Sequence, residues 1–244
     1  MNEPQQTLGF AHFLLSGDAI SKGLLIILLG MSVVSWTLIL VKGVTYFLRR
    51  RHAERFLKMF WEAPSMQAVA RDIASHGVHD SFSRVTANAL QAVQHYARTG
   101  ANGGRMAESG SPADFLTRTI KKVLDEETVS AENGLSVLAT VGATAPFFGL
   151  FGTVWGVYHA LVNIGLSGSG GLDQVAGPVG EALIMTGLGL AVALPAVIGY
   201  NWLARRNRVV SAKLDAFAFE LFTFLSSGQT LSGHAGNRTE PKEA

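Results

Sequence analysis

One carboxylate stands apart in this chain. Glu181 opens the stretch GEALIMTGLGLAVALPAVIGYNWLA, residues 180–204, in which it is the only charged side chain. As a helix the uncharged run 182–204 is about 34 Å long, enough to cross a hydrocarbon core of about 30 Å. A charge at the bilayer centre costs on the order of 2.5–3.5 kcal/mol, less near the interface. A carboxylate kept there suggests a group that carries protons. A second reading stands beside this one. Tyr200, Asn201 and Trp202 resemble an interfacial belt, and about 20 residues back from them Glu181 reaches the opposite interface. There it would meet water at a helix N-terminus, which favours negative charge.

Hydroxyls accompany the acid. If the apolar stretches before and after LSGSGG (166–171) form an antiparallel hairpin, Thr153 and Thr186 sit at similar depth. Glu181 then lies about 6–8 Å nearer the turn. A carboxylate with two hydroxyls at neighbouring depths supports a short chain of waters and proton-exchanging groups. Glu181 and Thr186 are, however, about 140° apart around a helix, so Thr186 can face the neighbouring helix instead. Taken alone, the two threonines read better as packing residues. Gly149, Gly152 and Gly156, with Gly187, Gly189 and Ala193, are small residues that let two helices approach closely. Pro146 and Pro195 are expected to bend their helices or reshape a local turn. His159 reads as a solvated helix-end residue.

Other chemistry finds little support. His76 and His79 flank a glycine turn beside Asp80, and the turn explains them more cheaply than a metal, so no metal site and no cofactor is expected. The chain has 0 cysteines, hence no thiolate ligand or nucleophile. A single acid in the apolar stretches, with no Ser/His pair at its depth, argues against an intramembrane enzyme. The lack of an internal repeat argues against a solute carrier.

The elements that must position these residues are helices in a membrane. The chain is 48% hydrophobic and only 16% charged, with mean hydropathy +0.26, whereas soluble domains are about a quarter charged. The shortfall is concentrated in three long uncharged runs. Net charge is +2 with pI ≈ 9.0, too mild for a nucleic-acid partner. Residues 1–22 form an N-terminal segment, read either as a surface helix or as a disordered end. The first span is 23–47, an uncleaved anchor followed at once by Arg49, Arg50 and Arg51. Arginines flanking this span, and Arg205, Arg206 and Arg208 after the last, mark the cytoplasmic side. The N-terminus is therefore outside and the C-terminus inside. Residues 48–111 make a cytoplasmic insertion with helical pieces at 49–62, 64–75 and 80–98 and a linker at 99–110. Ser111, Pro112 and Asp114 carry a helix-start signature. From it a long helix, 112–165, runs without an obvious stop and contains the second span. Residues 166–172 turn, and 173–226 hold the third span with an amphipathic extension that packs on the polar half of the preceding long helix. The tail 227–244 is expected to be disordered. The fold class is thus an all-α membrane protein with three transmembrane helices, the second and third extended into the cytoplasm.

The strings LATVGATAPFFGLFGTVWGVYHAL (138–161) and VAGPVGEALIMTGLGLAVALPAVIGYN (175–201), in this order, resemble the second and third spans of the MotA/TolQ/ExbB proton-channel family. The likeness is greatest to its ExbB branch, with the TolQ branch as runner-up. The resemblance implies a multi-pass subunit of the bacterial inner membrane, surrounded by membrane lipids. It implies a homopentamer around two helices of a single-span ExbD-like subunit, energising a TonB-like protein for import of siderophores, haem or cobalamin. Thr153, Glu181 and Thr186 match the family's pore-lining residues. Five carboxyls in one lumen cannot all be ionised, so protons would be shared among them. The alternatives are a TolQ-type subunit of the Tol-Pal envelope system and a passive membrane scaffold. Residues 49–111 show no string recognisable as the family's.

Overall fold

A computed structural model describes residues 18–100, 111–167 and 172–227. It contains α1 (Ala19–Glu62), α2 (Met66–His76), α3 (Ser81–Gly100), α4 (Pro112–Glu132), α5 (Leu135–Ser167) and α6 (Leu172–Ser227). No strand occurs among the described residues. Three helical stretches are long and apolar enough to cross a membrane: Ala19–Glu62, Pro112–Leu166 and Val179–Ser226. The expectations for residues 1–17, for most of the 99–110 linker, for the centre of the 166–172 turn and for the tail from 228 lie outside the described residues.

Local sequence sets most helix ends. Ser65 caps α2, its hydroxyl accepting from Ala68 N at 3.3 Å, and Gly77 ends that helix at φ 81°, a conformation only glycine adopts cheaply. Asp80 starts α3, its carboxylate accepting from Phe82 N at 2.9 Å and Ser83 N at 3.0 Å. Ser111 and Asp114 form a reciprocal capping box with Pro112 inside the first turn of α4.

Two boundaries depart from the sequence reading. The piece expected at 49–62 is not separate, because α1 runs unbroken over 44 residues. The arginines change the solvent a helix prefers without breaking its backbone. Conversely, the helix expected to run on from 112 stops at Glu132 and restarts at Leu135. Gly134 has φ 79°, and Asn133 N closes α4 onto Val129 O at 3.2 Å. Asn-Gly carries a stop signal that continuous hydropathy across the same residues hides.

The described residues form two compact units. One takes the stretches up to Gly43 and from Gly134 to Ala204; the other takes Val44–Asn133 and the residues from Arg205 onward. The second, polar unit has a core of Val69, Val85, Ala89, Leu116, Ile120, Leu214 and Leu221 around an aromatic group. Phe217 meets Phe60, Phe82 and Phe56 edge-on at 5.0, 5.4 and 6.5 Å between ring centroids. The amphipathic end of α6 therefore packs on α4, as its periodicity suggests, and also on α1 and α3, which periodicity does not identify. The first, apolar unit packs Leu24 and Leu28 of α1 with Val141 and Ala145 of α5 and Met185, Val192, Ala193 and Ala196 of α6.

Candidate proton-pathway site

The α5–α6 contact is made by residues too small to hold the helices apart. A Cβ on Gly149 would lie 2.7 Å from Met185 O and 3.0 Å from Gly189 Cα. On Gly189 it would lie 2.7 Å from Ala145 O, and on Gly156 2.8 Å from Ala182 Cβ. Gly152 sits under the Met185 side chain, 3.0 Å from its Cβ. Backbone touches backbone here, which in hydrocarbon is a main source of helix–helix attraction. Gly187 differs from the expectation: a Cβ there meets nothing within 4 Å. It lies on the exposed side of α6 with Leu183, Leu190 and Leu194, and Gly189 makes the contact instead.

The close approach brings Thr153 and Thr186 together. Their Oγ1 atoms hydrogen-bond to each other across the helices. Thr153 Oγ1 is also 3.1 Å from Ala182 O and 3.2 Å from Gly149 O, and Thr186 Oγ1 is 3.4 Å from Gly149 O. Each hydroxyl has one proton to give and two lone pairs. The pair can run from Thr186 through Thr153 to Ala182 O, or from Thr153 through Thr186 to Gly149 O. Two interchangeable directions are what a hydroxyl wire needs to pass a proton. The threonines thus combine the packing role with a geometry suited to relay.

Glu181 is half-buried and precedes the residue whose carbonyl receives Thr153. Helix geometry sets it about 140° around α6 from Thr186 and roughly 7–8 Å along the axis. It shares a face with Leu188, Val192 and Gly199. That face meets α1: Leu188 and Val192 join Leu24 and Leu28 in one cluster, and a Cβ on Gly199 would lie 2.6 Å from Ile39 Cγ1. Thr186 faces α5, as the 140° argument allows. Pro146 and Pro195 each lie inside a helix that continues through them.

His159 is not simply a solvated end residue. Its ring lies against Trp155, tilted by 42° with centroids 4.4 Å apart, and its Nε2 is 3.9 Å from Asp18 Oδ2. Trp155 Nε1 donates to the same oxygen at 3.3 Å, and Asp18 Oδ1 accepts from Ala19 N at 2.8 Å. Asp18 went unnoticed in the sequence, although an aspartate just before a helical run is a cap signature. In the polar unit, Glu127 is only 6% exposed. It takes Arg84 Nη1 at 2.8 Å and Ser81 Oγ at 2.5 Å, joining α3 to α4. No local pattern marks that residue, since its partners are remote in sequence. His76 pairs with Asp72 at 3.1 Å, and the His79 ring lies beside His52.

Three long apolar helices, with Glu181 the lone acid in the uncharged stretch of the last and a hydroxyl pair across a glycine-lined contact, fit a membrane channel subunit. The profile of the MotA/TolQ/ExbB proton channel family matches residues 79–216, more than half of the chain, and the chain belongs to that family. Among its relatives, the biopolymer transport protein ExbB of Xanthomonas campestris pv. campestris (strain B100) is 41% identical over 227 residues, 91% of this chain and 90% of that protein. ExbB of Neisseria meningitidis (strain Z2491) is 36% identical, covering 84% and 92%. The Tol-Pal system protein TolQ of Haemophilus influenzae (strain Rd) is 26% identical, covering 89% and 94%.

Proposed function

We propose that this chain is the ExbB-type subunit of a proton-driven inner-membrane motor. Five copies surround the two single spans of an ExbD-like partner, and the assembly energises a TonB-like protein for import across the outer membrane. Glu181 carries the proton, the Thr153–Thr186 pair relays it, and Pro146 and Pro195 bend the helices around the lumen. The N-terminus lies outside and the C-terminus in the cytoplasm, because arginines flank the inner ends of the first and last spans. The observation that carries the reading is the hydroxyl pair less than two helical turns from the only carboxylate of its span. The higher identity of the two ExbB proteins above favours this reading over a TolQ-type role.

Glu181→Gln removes the exchangeable proton while keeping size and polarity. The expected result is normal membrane insertion and assembly with loss of proton flux and of TonB-dependent uptake, measured in cells lacking the native gene. Undiminished uptake by a well-expressed Gln variant refutes the proton role. A passive scaffold predicts the opposite pattern: tolerance at Glu181 and failure at Gly152→Leu or Gly156→Leu. Rescue of a Tol-defective strain, without rescue of TonB-dependent uptake, would move the chain to the TolQ branch.

A further inference from the structure

Helices α1 and α6 run in the same direction through the apolar unit. Leu24 and Leu28 cluster with Met185 and Val192, and further along Leu38 and Ile39 cluster with Tyr200 and Leu203. The tightest point is Gly199 under Ile39, where an added Cβ would lie 2.6 Å from Cγ1 and 2.7 Å from Cδ1. Ser21 precedes Ile39, and Glu181 precedes Gly199, by the same number of residues. That number is about five whole turns, about 27 Å along either helix. Walking back from the contact therefore returns both residues to the facing sides of their helices, at one depth. The Leu24 and Leu28 contacts keep the two helices together over the intervening turns.

Burial agrees with this register. Ser21 is only 8% exposed, although it lies in the first turn of α1, and Glu181 is half-buried. We infer that Ser21 is a positioning residue for Glu181, its hydroxyl reaching the carboxyl through one water. The inference rests on the proton-carrying reading of Glu181 and deepens it. A serine suits both charge states. Through that water it donates toward the carboxylate and accepts from the protonated acid. During exchange the bridging water gives a proton to the carboxylate as it takes one from the hydroxyl, which takes one from water on its other side, so the proton counts of both water and serine are unchanged. Ser21 thereby connects Glu181 to water at the α1 end of the path, while Thr153 and Thr186 lie deeper. The α5–α6 hairpin is thus incomplete as a proton path without α1.

The test uses the full chain, expressed with its native partners, in membrane vesicles whose proton flux is read by a pH-sensitive dye. Ser21→Ala is expected to lower flux about tenfold at unchanged assembly, the effect of losing one hydrogen bond in the path. Ser21→Thr, which keeps the hydroxyl, restores flux to within about twofold. Wild-type flux in Ser21→Ala overturns the inference. So does a loss in Ser21→Ala that Ser21→Thr fails to restore, since that assigns the serine to packing alone. Glu181→Gln in the same vesicles separates the two levels. If it conducts normally, the proton-carrier reading itself fails; if it is silent while Ser21→Ala conducts, only the role of Ser21 fails.

Discussion

The two units of this chain solve the same problem, holding helices together, by opposite means. In the polar unit the core is made of large side chains: four phenylalanines, aliphatic residues and a buried Arg84–Glu127 link. In the apolar unit the α5–α6 contact sets glycine and alanine against backbone and Met185, and many large side chains face outward, with Ile26, Phe147 and Ile198 each more than 60% exposed. The difference follows from the solvent each composition suits. In water, covering a phenylalanine is favourable by itself, so bulk belongs inside. In hydrocarbon a leucine is equally content facing a lipid or a helix, and attraction comes from close backbone approach and interhelical hydrogen bonds. The Thr153–Thr186 pair exists because glycines let the helices come near enough. The candidate site is thus a by-product of how apolar helices must pack.

That contrast can be broken by substitution. The largest effect is expected at the aromatic centre of the polar unit. Phe217→Ala removes the ring shared by Phe56, Phe60 and Phe82 and should destabilise that unit by about 3–5 kcal/mol, seen as loss of protease resistance in residues 44–133. In the apolar unit the equivalent damage comes from adding atoms. Gly149→Ala presses a methyl into Met185 O and should cost about 2–3 kcal/mol, while Gly187→Ala, facing open space, should be neutral in the same thermal assay. If the two alanine variants behave alike, the claim that close approach holds this unit is wrong. Next is Glu127→Ala, which strands Ser81 and the half-exposed Arg84 and should cost on the order of 2 kcal/mol; Glu127→Gln, still able to bond Ser81, should lose less.

The smallest effect is at the α4 cap. Ser111→Ala should lower the melting temperature by roughly 2 °C at neutral pH. The Ser111 hydroxyl, its backbone N–H and nearby Arg118 hold the Asp114 carboxyl below its ordinary value. A depressed folded value adds stability that is complete above the unfolded value, about pH 4. It is lost as pH falls through the folded one. The gap between wild type and Ser111→Ala should therefore close on acidification below about pH 4. A gap that widens instead contradicts the assignment.

Uncharged run lengths, capping residues and the Gly-x-x-Gly spacing at 149–156 were legible along the chain because each depends on neighbours within a turn or a span. They sufficed for the three apolar helices, the start of α4, and the pairing of Thr153 with a residue across the hairpin, whereas α2 begins at Met66 behind its Ser65 cap and not at Pro64. Gly187 was grouped with the contact glycines because spacing places a glycine on a helix without saying which face meets a partner; within the chain a Cβ there meets nothing. The Asn133–Gly134 break was missed because hydropathy stayed high through it, and hydropathy records solvent preference, not backbone angle. Glu127 and the Asp18–His159 contact were invisible because their partners lie far away in sequence. Composition and periodicity determined that this is a helical membrane chain with one acid in its last span. Only the tertiary structure decided what that acid's face meets, since a helix fixes the angle between its own residues and leaves its rotation against its neighbours to packing.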